Sequence, residues 1–154
     1  MQRTKGFTLV EILIVVIILG ILAAIVIPQF TEASNDARKS QLVSDLQTVR
    51  SQVELYKVQH LERLPSVNES AAADPTNFVN RMTKKTDHTG KLDDNGLFGP
   101  YLQKFPTNPF ASTEQDGVTF GAVDPAPGND ATGWYFNTST GKFSANDSTI
   151  NAAK

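Results

Sequence analysis

The feature that most constrains this chain is a run of 20 consecutive uncharged residues, positions 12 to 31, reading ILIVVIILGILAAIVIPQFT. At about 1.5 Å of rise per residue, a helix of that length matches a hydrocarbon core of roughly 30 Å. Of the 24 residues from Phe7 to Phe30, 19 are apolar, and seven of the eight isoleucines fall there. Apolar groups surround the helix on every side, which suits lipid or a fully enclosed core. A chain of 154 residues has no core large enough to enclose such a rod, so the length supports a membrane span. Arg3 and Lys5 precede it, while Glu32 and Asp36 open the far side. Basic residues stay on the cytoplasmic side, which predicts a single-pass chain with a cytoplasmic N-terminus and an exported head. A cleaved signal peptide is the competing reading, but Ala23 and Ala24 are adjacent rather than alternate, and the run continues past them to Ile27.

Glu11 is the anomaly in this segment. A carboxylate costs roughly 2.5–3.5 kcal/mol at the bilayer centre, and such residues are usually functional. A helix N-terminus favours its charge, so a passive place at headgroup level is the alternative.

The run Lys5 to Glu11, KGFTLVE, resembles the processing site of type IV pilins and the related type II secretion pseudopilins. The likeness continues through ILGILAAIVIP, Ile18 to Pro28. It implies a basic leader of residues 1–6, removed at Gly6–Phe7 by a prepilin peptidase that N-methylates Phe7. It also implies that Glu11 serves assembly by neutralising the Phe7 amine of a neighbouring subunit. Two charges are thereby removed from an apolar setting together. Gly6 suits the scissile position, because a backbone without a side chain can be approached closely. Gly20 and Pro28 weaken the helix that contains them. In related filaments the helix opens between these two positions when subunits leave the bilayer. The implied partners are further copies in a helical homo-oligomeric filament, minor pilins, and an inner-membrane assembly platform driven by a cytoplasmic ATPase.

Beyond the span, Leu42, Leu46, Val49, Val53, Tyr56 and His60 recur at spacings of 4, 3, 4, 3 and 4. This stripe predicts an amphipathic helix to about Leu64, stopped by Pro65 and packed on a sheet by one face. His60 on the stripe reads as partly buried packing. Residues 65–154 carry seven Pro and eight Gly in 90 positions, which favours loops and short strands. Asp74-Pro75 predicts the start of a short helix through Lys85, with Phe78, Val79 and Met82 inward. Val118 to Val123 reads as a strand, and Gly133 to Asn137 with Lys142 to Ala145 as a hairpin turning at Gly141. The expected fold is α+β and pilin-like, a long N-terminal helix on a small antiparallel sheet. Its segments are a leader (1–6), a hydrophobic span (7–30), an amphipathic helix (31–64) and a loop-rich head (65–154).

The stretch Gly99 to Phe110, GPYLQKFPTNPF, also resembles the loop before the sheet in major pseudopilins, with Phe110 where a tryptophan is often found. Gly133 to Phe143 resembles the terminal hairpin of some pilin-like proteins. Many type IV pilins pin this region with a cysteine pair, and this chain has no cysteine. Major pseudopilins often use calcium there, but their acidic, glycine-rich end motif is not reproduced in residues 143–151. Asp93, Asp94, Asp116, Asp124, Asp130 and Asp147 fit no twelve-residue calcium loop, and each reads first as solvated surface. No cofactor is expected, and calcium is left open as an alternative that no motif supports.

Catalysis has no support. His60 and His88 lack a metal-ligand partner at i+4, and neither a P-loop, a GxGxxG nor a GxSxG is present. A formal net charge of −2 gives no footprint for nucleic acid. The leading expectation is a filament subunit, most like a major pseudopilin of a type II secretion pseudopilus. A pilin of a surface or DNA-uptake pilus is the first alternative, and a non-polymerising anchored binding domain the second.

Overall fold

A computed structural model describes residues 6–124 and 126–154 and divides the chain into two compact units, one ending at Lys39 and the other spanning Ser40–Lys154. Helix α1, Leu9–Gln59, contributes to both. Its N-terminus is set by Thr8, whose Oγ1 accepts a hydrogen bond from the Glu11 backbone N–H at 3.3 Å. Thr8 and Glu11 thus stand in the T-x-x-E spacing of a capping box, so the helix begins at Leu9 rather than Phe7. In the first unit α1 runs through both Gly20 and Pro28 without a break. Among the described residues nothing covers its large apolar side chains, with exposures from 47% at Val15 to 82% at Leu9. By length and composition this stretch can cross a membrane.

In the second unit the expected stripe is realised. Leu42, Leu46, Val49, Val53 and Tyr56 are buried, while Val43 and Leu55 on the other faces are exposed. The stripe packs into one core with Phe78, Met82, Leu102, Phe105, Trp134, Phe136, Phe143 and Ala145. The helix ends at Gln59, earlier than the Pro65 stop suggests. Leu61 and Glu62 adopt left-handed backbone, φ 58° and 59°, and the Glu62 N–H caps the Lys57 carbonyl at 2.9 Å. That turn is strained for residues with a Cβ, and His60, wholly buried against Tyr56, Tyr101 and Phe98, holds it.

After it come a 3-10 turn, Pro75–Asn77, and helix α2, Phe78–Thr83, two residues shorter than expected. Phe78 and Met82 are inward as read, and Arg81 is buried beside them. The sheet has strands β1 (Val118–Gly121), β2 (Trp134–Asn137) and β3 (Phe143–Ala145) in the order β1-β2-β3. The α+β arrangement stands, but the sheet is mixed rather than wholly antiparallel. β1 pairs parallel with β2, Val118 opposite Trp134, whereas β2 and β3 form the expected antiparallel hairpin with Phe136 opposite Phe143. Residues 122–133 are long enough for a crossover, which a parallel pair requires and a tight hairpin does not. Gly141 takes φ 76° at the hairpin turn, as read, and a Cβ there would lie 2.7 Å from Leu64 Cδ2.

All four residues of β2 are buried, because both of its faces are covered. Trp134 and Phe136 join the α1 core, and Tyr135 packs with Ala126 and Ala152 in a second, smaller cluster. Ala152 belongs to a final helical turn, α3, Thr149–Ala152, capped by Ser148.

Candidate functional site

The residues singled out at the N-terminus lie together, at the entrance of α1. Gly6 and Phe7 precede the helix and are exposed, Phe7 at 77%. Among the described residues, no heavy atom lies within 4 Å of a Cβ built on Gly6 beyond its chain neighbours, so none of them obstructs the Gly6–Phe7 bond on that side. Thr8 then closes the helix end, and Glu11 sits in the first turn. Its place near the positive end of the helix dipole is favourable for a carboxylate. Arg3 and Lys5 lie outside the described residues. The Thr8 cap was legible in the spacing Thr8-x-x-Glu11 but is masked there by the apolar residues on either side.

Within the span, Pro28 has no N–H to offer the Ala24 carbonyl, and Gly20 carries no side chain to pack. Thr31 Oγ1 bonds the Ile27 carbonyl at 3.1 Å, folding its hydroxyl onto the helix.

The head has a polar centre that sequence reasoning missed. Arg81 donates from Nε to the Gly90 carbonyl at 3.0 Å, and from Nη1 to the carbonyls of Pro65 and Asp74, both at 3.1 Å. Its Nη2 meets Asp74 Oδ2 at 2.6 Å. Asp74, read as a helix cap, makes no capping bond to the backbone. Its carboxylate accepts instead from Asn77 Nδ2, Thr76 Oγ1 and Arg81, which hold its pKa down at about 2. The pair stitches three segments of the loop connection to α2. The signal was weak because three of Arg81's acceptors are main-chain carbonyls, invisible in side-chain patterns.

His60 Nδ1 lies 2.8 Å from the Tyr56 carbonyl and Nε2 lies 2.9 Å from Thr86 Oγ1. A carbonyl only accepts, so Nδ1 carries the proton and Nε2 accepts from Thr86. Burial lowers the His60 pKa and pushes Tyr56 and Tyr101 up to about 12. These groups pack the head and brace the loop that carries Thr86.

Calcium does not fit the C-terminal acids. The ion takes six to eight oxygen ligands with free lone pairs directed at it. Asp147 Oδ1 already accepts from Asn108 Nδ2, and its Oδ2 from Asn151 Nδ2 and Ser148 Oγ. Asp130 accepts from the Ser112 backbone and hydroxyl, and Asp124 holds the Lys142 ammonium at 2.8 Å. Asp147 and Asp130 are therefore acceptors within the fold, while Asp124, in an exposed ion pair, remains solvated surface as read. Asp93 caps its own turn through the Asn95 N–H, and Asp94 and Asp116 are exposed. Among the described residues no cluster of three or more acidic, histidine or cysteine side chains is placed to hold a metal.

Comparison with known proteins bears on the N-terminal site first. Residues 1–27 match the model of the prokaryotic N-terminal methylation motif. The chain is 30% identical over 114 residues to type II secretion system core protein G of Dickeya chrysanthemi, covering 74% of this chain and 68% of that protein. It is 30% identical over 115 residues to the protein of the same name from Klebsiella pneumoniae, covering 75% of each. It is 32% identical over 117 residues to that of Pseudomonas aeruginosa, again 75% of each. No solved structure gives a significant match. Identity at this level over three quarters of the chain reaches far beyond the methylation segment into the head. The chain belongs to the type II secretion system core protein G family.

Proposed function

We propose that this chain is the structural subunit of a type II secretion pseudopilus, held in the inner membrane by its apolar helix and drawn from there into a filament. The observation that carries the reading is the placement of Gly6–Phe7. The bond lies outside the helix, exposed and unobstructed by any of the described residues, immediately before the Thr8 cap and the uncovered apolar span. A peptidase working at the membrane surface needs an extended, accessible bond at that depth. Cleavage leaves an amine on Phe7, methylated in the mature chain. Its charge is unfavourable at the positive end of its own helix. Glu11 of a neighbouring copy neutralises it and sets the axial register between subunits. Stranding either charge costs several kcal/mol in an apolar setting. The chain has its N-terminus in the cytoplasm and its head in the periplasm. The leader, the prepilin peptidase, the minor pilins, and the platform with its cytoplasmic ATPase belong to this reading. So does the loosening of the helix between Gly20 and Pro28 during extraction.

The test joins two measurements on the full chain expressed with a secretion system. Mass spectrometry is expected to find a mature chain beginning at N-methylated Phe7, and an intact Met1 would overturn the processing step. Glu11→Gln is expected to leave that mass unchanged while filament recovery falls by at least tenfold. Normal filament yield from Glu11→Gln would remove Glu11 from assembly.

A further inference from the structure

We propose that the C-terminal part of the head is locked by side-chain amides and one ammonium group in the place of a divalent cation, with the Asn108–Asp147 hydrogen bond as its central bolt. This does not rest on the filament reading. Asn108 is wholly buried, in the loop that precedes β1. Its Nδ2 donates to the Gly133 carbonyl and to Asp147 Oδ1, both at 2.7 Å, and its Oδ1 accepts from the Phe110 N–H at 2.9 Å. Both amide protons and the oxygen are satisfied, tying the Asn108 loop to two stretches of chain 25 and 39 residues away. A buried amide with every group paired specifies one arrangement, because any shift leaves a donor or acceptor desolvated and unmade.

Gly133 is where these stretches meet. Its N–H donates to the Glu114 carbonyl, and a Cβ there would stand 2.1 Å from the Gln115 carbonyl oxygen, so only glycine admits the approach. On its other side Asn146, also wholly buried, repeats the pattern. Its Oδ1 accepts from the Gly128 N–H at 3.2 Å, and its Nδ2 donates to Asn129 Oδ1 at 3.0 Å. Asp147 completes the lock with Asn151 Nδ2 at 2.7 Å, which ties in α3.

The acids here would have to converge with open lone pairs to hold a cation. They do the opposite. The oxygens of Asp147 and Asp130 face N–H or O–H groups, whose positive ends repel an ion, and Lys142 already supplies Asp124 with a full positive charge. Admitting calcium would require breaking the bolt and moving Lys142.

The test is thermal unfolding of the full chain in detergent micelles, read by near-ultraviolet circular dichroism of Trp134, the only tryptophan. The midpoint is expected to be the same in excess chelator and in millimolar calcium chloride. A saturable rise of roughly 5 °C or more on adding calcium, as an ion at about a hundred times its Kd would give, overturns the proposal. Asn108→Ala and Asp147→Ala are each expected to lower the midpoint by several degrees, and the double variant by clearly less than the sum. Additive effects overturn the bolt. If Asn108→Ala does not fold, Asn151→Ala against Asp147→Ala gives the same cycle at a half-buried position: a shortfall from the sum supports the lock, and additivity overturns it.

Discussion

Replacing Asp74 with alanine is the sharpest probe of the head's polar centre. Arg81 is 3% exposed and its Nη2 lies 2.6 Å from Asp74 Oδ2. Removing one partner of a buried ion pair commonly costs about 3–5 kcal/mol, because the other charge stays buried. Here the carbonyls of Pro65, Asp74 and Gly90 still accept from Arg81, which lowers the expectation to about 2–4 kcal/mol. The carboxyl's own linkage gives a second figure. Its pKa falls from 3.8 to about 2, through the bonds from Asn77, Thr76 and Arg81. At about 1.4 kcal/mol per unit, that is roughly 2 kcal/mol of stability, consistent with the lower end. The pKa is depressed in the fold, so this stability is present above pH 3.8 and is lost as pH falls toward 2. Asp87 and Asp130 are also held low, Asp87 by bonds from Thr89 and Lys91 in its own turn and Asp130 by bonds from Ser112, but they titrate alike in both proteins and cancel in the difference. Urea unfolding of wild type and Asp74→Ala in micelles, followed by Trp134 fluorescence, measures the gap at neutral pH and again near pH 3. A gap below about 1 kcal/mol at neutral pH refutes the argument, as does one that stays constant on acidification.

Two further perturbations test other parts of the head. Leu46→Ala, at a position 1% exposed, is expected to cost about 2–5 kcal/mol, whereas Val43→Ala, 39% exposed, should change urea stability by about 0.5 kcal/mol or less. Burial lowers the His60 pKa below 6.5, so the unfolded chain binds the extra proton first and stability falls as pH drops below 6.5. His60→Gln is expected to flatten that slope in unfolding midpoints between pH 7 and pH 5, and an unchanged slope would assign it to other groups.

Much of this could be read from residue order, for reasons visible in particular elements. The α1 stripe was legible because spacings of 4 and 3 align on one helical face whatever surrounds them, and Leu42 to Tyr56 are buried accordingly. The β2–β3 hairpin was legible because Gly141 and the Trp134/Phe136 alternation are local signals. The direction of β1 was not, since a strand of alternating residues looks the same running either way, and only the crossover decides it. The helix end at Gln59 was missed because His60 is drawn into a cluster with Tyr101 and Phe98, some 40 residues away, and that pull outweighs the distance to Pro65. Asn108 and Asp147 are 39 positions apart, with no pattern to join them. At the N-terminal site the spacing of Gly6, Phe7 and Glu11 carries the proposed processing and assembly roles, and among the described residues none crowds Gly6.

The two ends of α1 pose different energetic problems with similar residues. Val49 and Val53 are covered by the head's own aromatics, so their burial contributes to folding within one chain. Ile14 and Val15 are 52% and 47% exposed in the same helix, and nothing among the described residues covers them. At roughly 25 cal/mol per Å² of apolar surface, a stretch of that length cannot remain in water; lipid or other copies of the helix must take it. Head stability and placement of the span are therefore separable. Leu46→Ala should loosen the head while the chain still partitions fully into membranes. A charge placed at Val15 should do the reverse, leaving the head's unfolding midpoint unchanged while membrane recovery falls. Loss of both properties from either change would mean that the two halves of the helix fold as one unit.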